Sequence, residues 1–289
     1  MKKSILAMSA IAMLFATSCM KELATENAGE TSVVTFSVAT PEMATRAYSD
    51  GTTATVLQYA VYNAAGEELT DLTVTDAVIN GSANVTLDLT TGNTYSVIFW
   101  AAAPDAPYTV DFANKTMTVD YSTAVCNDEN RDAFYKYHTF TVSGAQTETV
   151  ELKRPFAQLN IGTNDYALAA TAGYVPTTSS VKVPVYSVLN FVDGSVEGEA
   201  VVEYAAEALP KGETFPVAGY EYLAMNYLLV AAEKETVEVE FTYSDAADNA
   251  KTRTVGSVPV QRNYRTNLYG SLLTSSVDVN VEIEPDYET

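Results

Sequence analysis

The chain has 289 residues, with 16 Lys+Arg against 37 Asp+Glu, a formal charge of −21 and 47 % apolar residues. That apolar content is too high for a disordered chain and suffices for one large domain or two ordinary ones. The charge repels phosphate and argues against nucleic acid or an anionic membrane surface as partner, while one His (His138) and two Cys supply neither a spare triad base nor the usual Cys/His zinc ligands. Catalysis is therefore not expected, and no cofactor or metal is called for.

Residues 1–19 read as an export signal. Lys2 and Lys3 precede an apolar run from Ile5 to Phe15, then Ala16-Thr17-Ser18 and Cys19. The run is too short to span a bilayer, which needs about 20 apolar residues, and no other stretch is long enough for a transmembrane helix. Two readings are open. One is an ordinary signal peptide cut at a small residue. In the other, "ATSC" resembles a relaxed bacterial lipobox, so that Cys19 becomes the first residue, carries lipid (palmitate among the acyl chains) and anchors the protein to the outer membrane. Lys21-Glu22 resembles the charged tag of surface-exported lipoproteins. If Cys19 is acylated, Cys126 is a free core thiol; if not, a Cys19–Cys126 disulfide is conceivable in an exported protein.

From residue 32 the pattern has period two. Val34, Phe36 and Val38 alternate with Thr35 and Ser37; Val85, Leu87 and Leu89 follow, then Tyr95, Val97 and Phe99. Between 236 and 243, Val237, Val239, Phe241 and Tyr243 alternate with Glu238, Glu240 and Thr242. Asn80-Gly81, Asp50-Gly51 and Asp193-Gly194 mark turns. Two short helices are expected, over 128–137 and over 165–172, the second capped by Asn164. Many short strands with frequent turns predict sandwiches or barrels, and about 245 residues of such material divides into two sandwiches. The expected join is Lys153-Arg154-Pro155, between strands 147–152 and 156–161, where Pro155 cannot donate to a ladder. At the far end, Val277, Val279, Val281 and Ile283 alternate with Asp278, Asn280, Glu282 and Glu284.

Other clusters read as structural. Asp128, Glu129 and Asp132 lack the Gly and terminal Glu of a calcium loop. Asp245, Asp248 and Asn249 suit a solvated hairpin turn. Trp100 is expected in the core rather than on a sugar-stacking platform. Arg154, Arg262 and Arg265 are expected to pair with carboxylates. His138 is expected to be structural.

"ELKRPFAQLNIGTND" (151–165), "NDENRDAFY" (127–135), "YSVIFWAA" (95–102) and "QRNYRTNLYGSLLT" (261–274) together resemble the fimbrillins, the type V pilins and related surface lipoproteins of Gram-negative anaerobes. The resemblance implies two tandem transthyretin-like or Ig-like β-sandwiches, 47–153 and 154–289, after a propeptide, 20–46, that contains the first strand. It implies a non-enzymatic role as structural or accessory subunit of a fimbria supporting adhesion. Its partners would be other fimbrial subunits, in a homo- or heteropolymer, and an Arg-specific protease. In that scheme the protease cuts Arg46–Ala47, the strand with Val34, Phe36 and Val38 leaves, and a donor strand from a neighbour fills the slot. Arg46 is the only Arg before residue 131. The terminal strand with Val277, Val279, Val281 and Ile283 is the matching donor. Burying four such side chains is worth about 6–12 kcal/mol gross, less the cost of ordering the donor. The alternative is a surface-anchored lipoprotein that binds a glycan or other ligand and keeps residues 20–46 as a tether.

Overall fold

A computed structural model describes residues 29–41, 48–274 and 279–285. Cys19, Arg46, Ala47 and Val277 lie outside the described residues. The first half contributes β1 (Thr31–Ala39), β2 (Val56–Tyr62), β3 (Val74–Val78), β4 (Ser82–Thr90), β5 (Thr94–Ala102), β6 (Tyr108–Asp111), β7 (Thr116–Val119), β8 (Ala133–Thr141) and β9 (Gln146–Glu151). The second contributes β10 (Phe156–Thr163), α1 (Tyr166–Thr171), β11 (Pro176–Val185), β12 (Val188–Asn190), β13 (Val196–Glu197) and β14 (Ala200–Ala208). It ends with β15 (Glu221–Leu229), β16 (Glu235–Asp245), β17 (Ala250–Val260), β18 (Tyr264–Gly270) and β19 (Val279–Pro285).

The architecture is all-β, as the alternation predicts. Sheets β4-β1-β9 and β3-β2-β5-β8 face each other across one core, which includes Val34, Phe36, Val38, Val85, Leu87, Val97, Phe99 and Val150. Sheets β15-β10-β18-β19 and β14-β11-β16-β17 enclose a second, with Leu159, Ile161, Val181, Leu223, Phe241 and Leu268. Each strand places one row of side chains inward because successive residues point to opposite faces.

A third core joins the two sandwiches. Strand β5 is buried on both faces: Tyr95, Val97 and Phe99 enter the first core, while Ile98 and Trp100 enter the third with Phe156, Phe191, Met225 and Tyr227. A fifth sheet, β13-β12-β7-β6, is built from both halves of the chain, with Leu189 opposite Met117. The expected join is accordingly no exposed linker. Lys153 bridges to Tyr135, and Arg154 is fully buried.

The helix expected over 128–137 is largely absent. A single 3-10 turn spans Glu129–Arg131, where the Asp128 carboxylate accepts from Asn130 N–H, and the chain then enters β8. Pairing of Ala133–Thr141 with the buried β5 outweighs local helix preference. The second helix is present but shorter, Tyr166–Thr171. Its N-cap residue is Asp165, not Asn164, and no side chain caps it. The Asp165 carboxylate instead accepts from the Thr163 and Thr274 hydroxyls and from the Leu273 and Thr274 amides, which pins the end of the described core segment.

Candidate functional site

Strand β1 occupies the middle of its sheet. It runs antiparallel to β4, with Phe36 opposite Val85, and parallel to β9, with Phe36 opposite Glu148. Both backbone edges are therefore paired. Val34, Phe36 and Val38 have no solvent exposure. The Phe36 ring lies 5.5 Å from Phe99, 5.1 Å edge-on from Phe140 and 6.4 Å edge-on from His138. At about 1.5–3 kcal/mol for each of the three side chains, this row stabilises the first sandwich by about 5–9 kcal/mol, an upper bound set by the extended reference chain. Removing β1 would open a slot with unpaired N–H and C=O groups on both sides and an apolar floor.

The chain re-enters the described structure just after the 42–47 segment, at Tyr48 and Ser49, and is held there by a buried polar cluster. Ser49 adopts φ 67° in the left-handed region that non-glycine residues rarely occupy. Its N–H donates to Glu129 Oε2 at 3.0 Å, and its carbonyl accepts from Arg154 Nη2 at 2.7 Å. The Tyr227 hydroxyl donates to Glu129 Oε1 at 2.9 Å and lies 3.0 Å from Ser49 Oγ. Arg154 also forks onto Asp132, Nε to Oδ1 at 2.6 Å and Nη2 to Oδ2 at 2.7 Å, and packs over the Phe134 ring at 4.6 Å. Burial, reinforced by the charge of Asp132, pushes the Glu129 carboxyl up to about 8. The cluster ties residue 49 to β8, to the join and to β15 of the second sandwich. The sequence offers its parts separately, as an acidic cluster too incomplete for a calcium loop and as an Arg expected to pair with a carboxylate, and Asp132 is that carboxylate.

Strand β19 is an edge strand, antiparallel to β18, with Leu268 opposite Val281 and Thr266 opposite Ile283. Val279 and Ile283 are half-buried, and Val281 is 37 % exposed. Donors on β18 fix its register. Glu284 accepts from Arg265 Nη1 at 3.3 Å and Asn267 Nδ2 at 2.9 Å, and Glu282 accepts from the Tyr269 hydroxyl at 3.4 Å. Behind them Arg265 Nε donates to Gln158 Oε1 at 2.8 Å. The candidate released row and the candidate donor row therefore belong to different sheets of different sandwiches, one locked at a centre and the other lying on an edge.

The remaining candidates fall as follows. Trp100 is 2 % exposed, and Tyr95 faces the opposite core, so the two form no sugar platform. Arg154 and Arg265 meet carboxylates, but Arg262 donates to the Val230 carbonyl and the Tyr135 hydroxyl instead. His138 pairs with Glu148 at 3.0 Å and stacks on Phe140. Cys126 is buried and free, and burial pushes its thiol up to about 12, away from reactivity. Asp245 accepts from Ala247 and Asn249 amides in a hairpin turn. Among the described residues, no group of three His, Cys, Asp or Glu side chains could hold a metal ion, and no helix is long and apolar enough to cross a membrane.

A family model described as a family of unknown function (DUF6562) matches residues 25–289. No curated protein matches the chain. Solved structures with a similar fold include a candidate polysaccharide-binding protein of Bacteroides thetaiotaomicron, 14 % identical with TM-score 0.53, covering 88 % of this chain and 98 % of that one. A candidate adhesin of Bacteroides ovatus is 11 % identical with TM-score 0.51, covering 87 % and 93 %. The tip fimbrial protein Mfa3 of Porphyromonas gingivalis, C-terminally truncated, is 10 % identical with TM-score 0.52, covering 88 % and 99 %. At these identities the likeness is one of fold.

Proposed function

This chain belongs to the family of unknown function DUF6562, and we propose that it is a fimbrillin-like surface protein: a structural or accessory subunit of a fimbria that supports adhesion and assembles by protease-triggered strand exchange. The observation that carries this reading is the contrast between β1 and β19. Strand β1 is paired on both edges and fully buried on its apolar row, so its departure would leave a preformed slot. Strand β19 has the same alternation, yet sits on an edge with its central Val281 in contact with solvent. Gains from burial in a neighbour's slot would exceed what it has in its own sheet. The fold shared with a tip fimbrial protein and a candidate adhesin supports the same reading.

In this proposal Cys19 carries the lipid that holds the precursor at the outer membrane, and the cell surface is where it acts. An Arg-specific protease cuts Arg46–Ala47 and frees Val34, Phe36 and Val38 with their strand. The folded unit of 47–153 keeps its slot because Ser49, directly downstream of the cut, is fixed by Glu129, Arg154 and Tyr227. The unit of 154–289 then supplies Val277, Val279, Val281 and Ile283 to the next subunit.

Treatment of the purified precursor with an Arg-specific protease tests this directly. The expected product begins at Ala47 and forms ladders that resist SDS. A product cut at Arg46 that stays monomeric at high concentration would remove the assembly mechanism. Deletion of residues 277–289 is expected to give subunits that accept a strand and donate none.

A further inference from the structure

A cleft of about 360 Å³ opens over the junction of the two sandwiches. Pockets that hold small ligands are typically about 300–1,000 Å³, so it is large enough for a compact molecule. Two partly buried tyrosines, Tyr135 and Tyr137, line it, and the Tyr135 ring backs onto the buried Phe191, centroids 5.6 Å apart. Four cations line it as well, Lys136, Lys153, Arg154 and Arg262; Arg154 is paired with Asp132, and Lys136 alternates with Tyr135 and Tyr137 on β8 and so belongs to the other face of the strand.

In a chain with 37 acidic and 16 basic residues, the two cations left facing this space, Lys153 and Arg262, meet no carboxylate among the described residues. Neither Lys136 nor Lys153 makes an ion pair or a side-chain hydrogen bond among the described residues. Arg262 spends Nη2 on the Val230 carbonyl at 3.1 Å and Nη1 on the Tyr135 hydroxyl at 3.5 Å, both neutral acceptors, and its buried Nε meets no acceptor. The one acidic residue of the rim, Asp193, is turned into its own loop, where Oδ1 accepts from the Ser195 amide at 2.8 Å and hydroxyl at 2.7 Å. Those bonds hold its carboxyl below the usual range.

The arrangement is built rather than incidental. Gly194 follows in the left-handed region at φ 72°, and a Cβ there would come within 2.7 Å of Arg262 Nη1. The left-handed backbone is what favours glycine at this position, with the turn lying against the guanidinium. Cations beside low-dielectric aromatic walls concentrate positive potential, while guanidinium and ammonium donors suit carboxylate oxygens.

We propose that this cleft binds a carboxylated sugar, such as a uronic acid unit of an acidic polysaccharide. The accessible parts of Tyr135 and Tyr137 would take the apolar side of the sugar ring, and Lys153 and Arg262 its carboxylate. The site is independent of strand exchange, since neither β1 nor β19 lines it.

Calorimetric titration of the purified chain with trigalacturonate and with neutral galactotriose tests the proposal. Saturable binding of trigalacturonate is expected, at least about tenfold tighter than galactotriose, and weakening as salt is raised. Lys153→Glu, at an exposed position that leaves folding intact, should weaken it about tenfold, and Arg262→Gln at least as much. No saturable binding at millimolar sugar, equal affinity for the two sugars, or binding unchanged in both variants would overturn the proposal. So would a synthetic peptide of residues 278–289 that occupies the cleft when the sugar does not, because the cations would then serve a contact between subunits.

Discussion

Arg154 and Asp132 form a two-pronged ion pair, 2.6 Å and 2.7 Å, with neither side chain reaching solvent. Asp132 immediately precedes β8 and Arg154 stands at the join to β10, so the pair clamps the first sandwich to the start of the second. Breaking one side leaves a buried unpaired charge. Asp132→Ala is expected to cost about 3–5 kcal/mol, read as a lower midpoint in urea unfolding, whereas an apolar replacement of both partners should recover most of the loss. Equal midpoints for wild type and Asp132→Ala would show the clamp to be dispensable.

Phe36 tests the role of β1 in the intact precursor. Phe36→Ala removes a ring held among Phe99, Phe140 and His138. The expected loss is about 3–5 kcal/mol in the uncleaved chain. After cleavage and strand release, the same substitution should have no effect on the stability of the remaining fold, because the residue is gone. Denaturation of both forms, wild type and variant, separates the two cases.

Val281 discriminates a resting strand from a donor. It is 37 % exposed on an edge, so Val281→Lys is expected to change monomer stability by only about 0.5 kcal/mol. In a neighbour's slot the same side chain would face a closed core. Polymer formation after proteolysis should therefore be lost while the thermal midpoint of the monomer barely moves. Ladders of undiminished length from this variant would exclude β19 as the donor.

Glu129 makes the Ser49 anchor sensitive to pH. Its carboxyl is raised to about 8 in the fold, chiefly by burial and then by Asp132, with Arg154 acting in the opposite direction. An unfolded Glu titrates near 4.3. The folded state thus binds more protons than the unfolded state between those values, and stability falls as pH rises across that window. Partial solvent access limits the loss to about 1–3 kcal/mol between pH 5 and pH 8.5. Glu129→Gln keeps the acceptor for Ser49 N–H and should flatten the slope, measured as unfolding free energy against pH. A slope identical in both proteins would place the titrating group elsewhere.

The strands were legible where one face is buried. Alternation at 34, 36 and 38 and at 237, 239, 241 and 243 located inward rows directly, and all seven residues are buried. Strand β5 was legible only in half: its Ile98 and Trp100 face a second core that no period-two reading can separate from solvent. Helix preference misled at 128–137, where contact with β5 decides the outcome. The Ser49 anchor was not legible, since its members come from residues 49, 129, 154 and 227 and meet only through tertiary packing. The basic cleft escaped for the same reason. Lys153 and Arg262 are far apart in the chain, and the calm of Asp193 depends on a turn hydrogen bond.

The sheet made of β6, β7, β12 and β13 has a mechanical meaning. Its ladder between β7 and β12 ties the two halves side by side, with Leu189 and Met117 packed beneath. The halves can part only by breaking this ladder and exposing an aromatic interior, so under pull they should hold together as one body and not as two beads on a string.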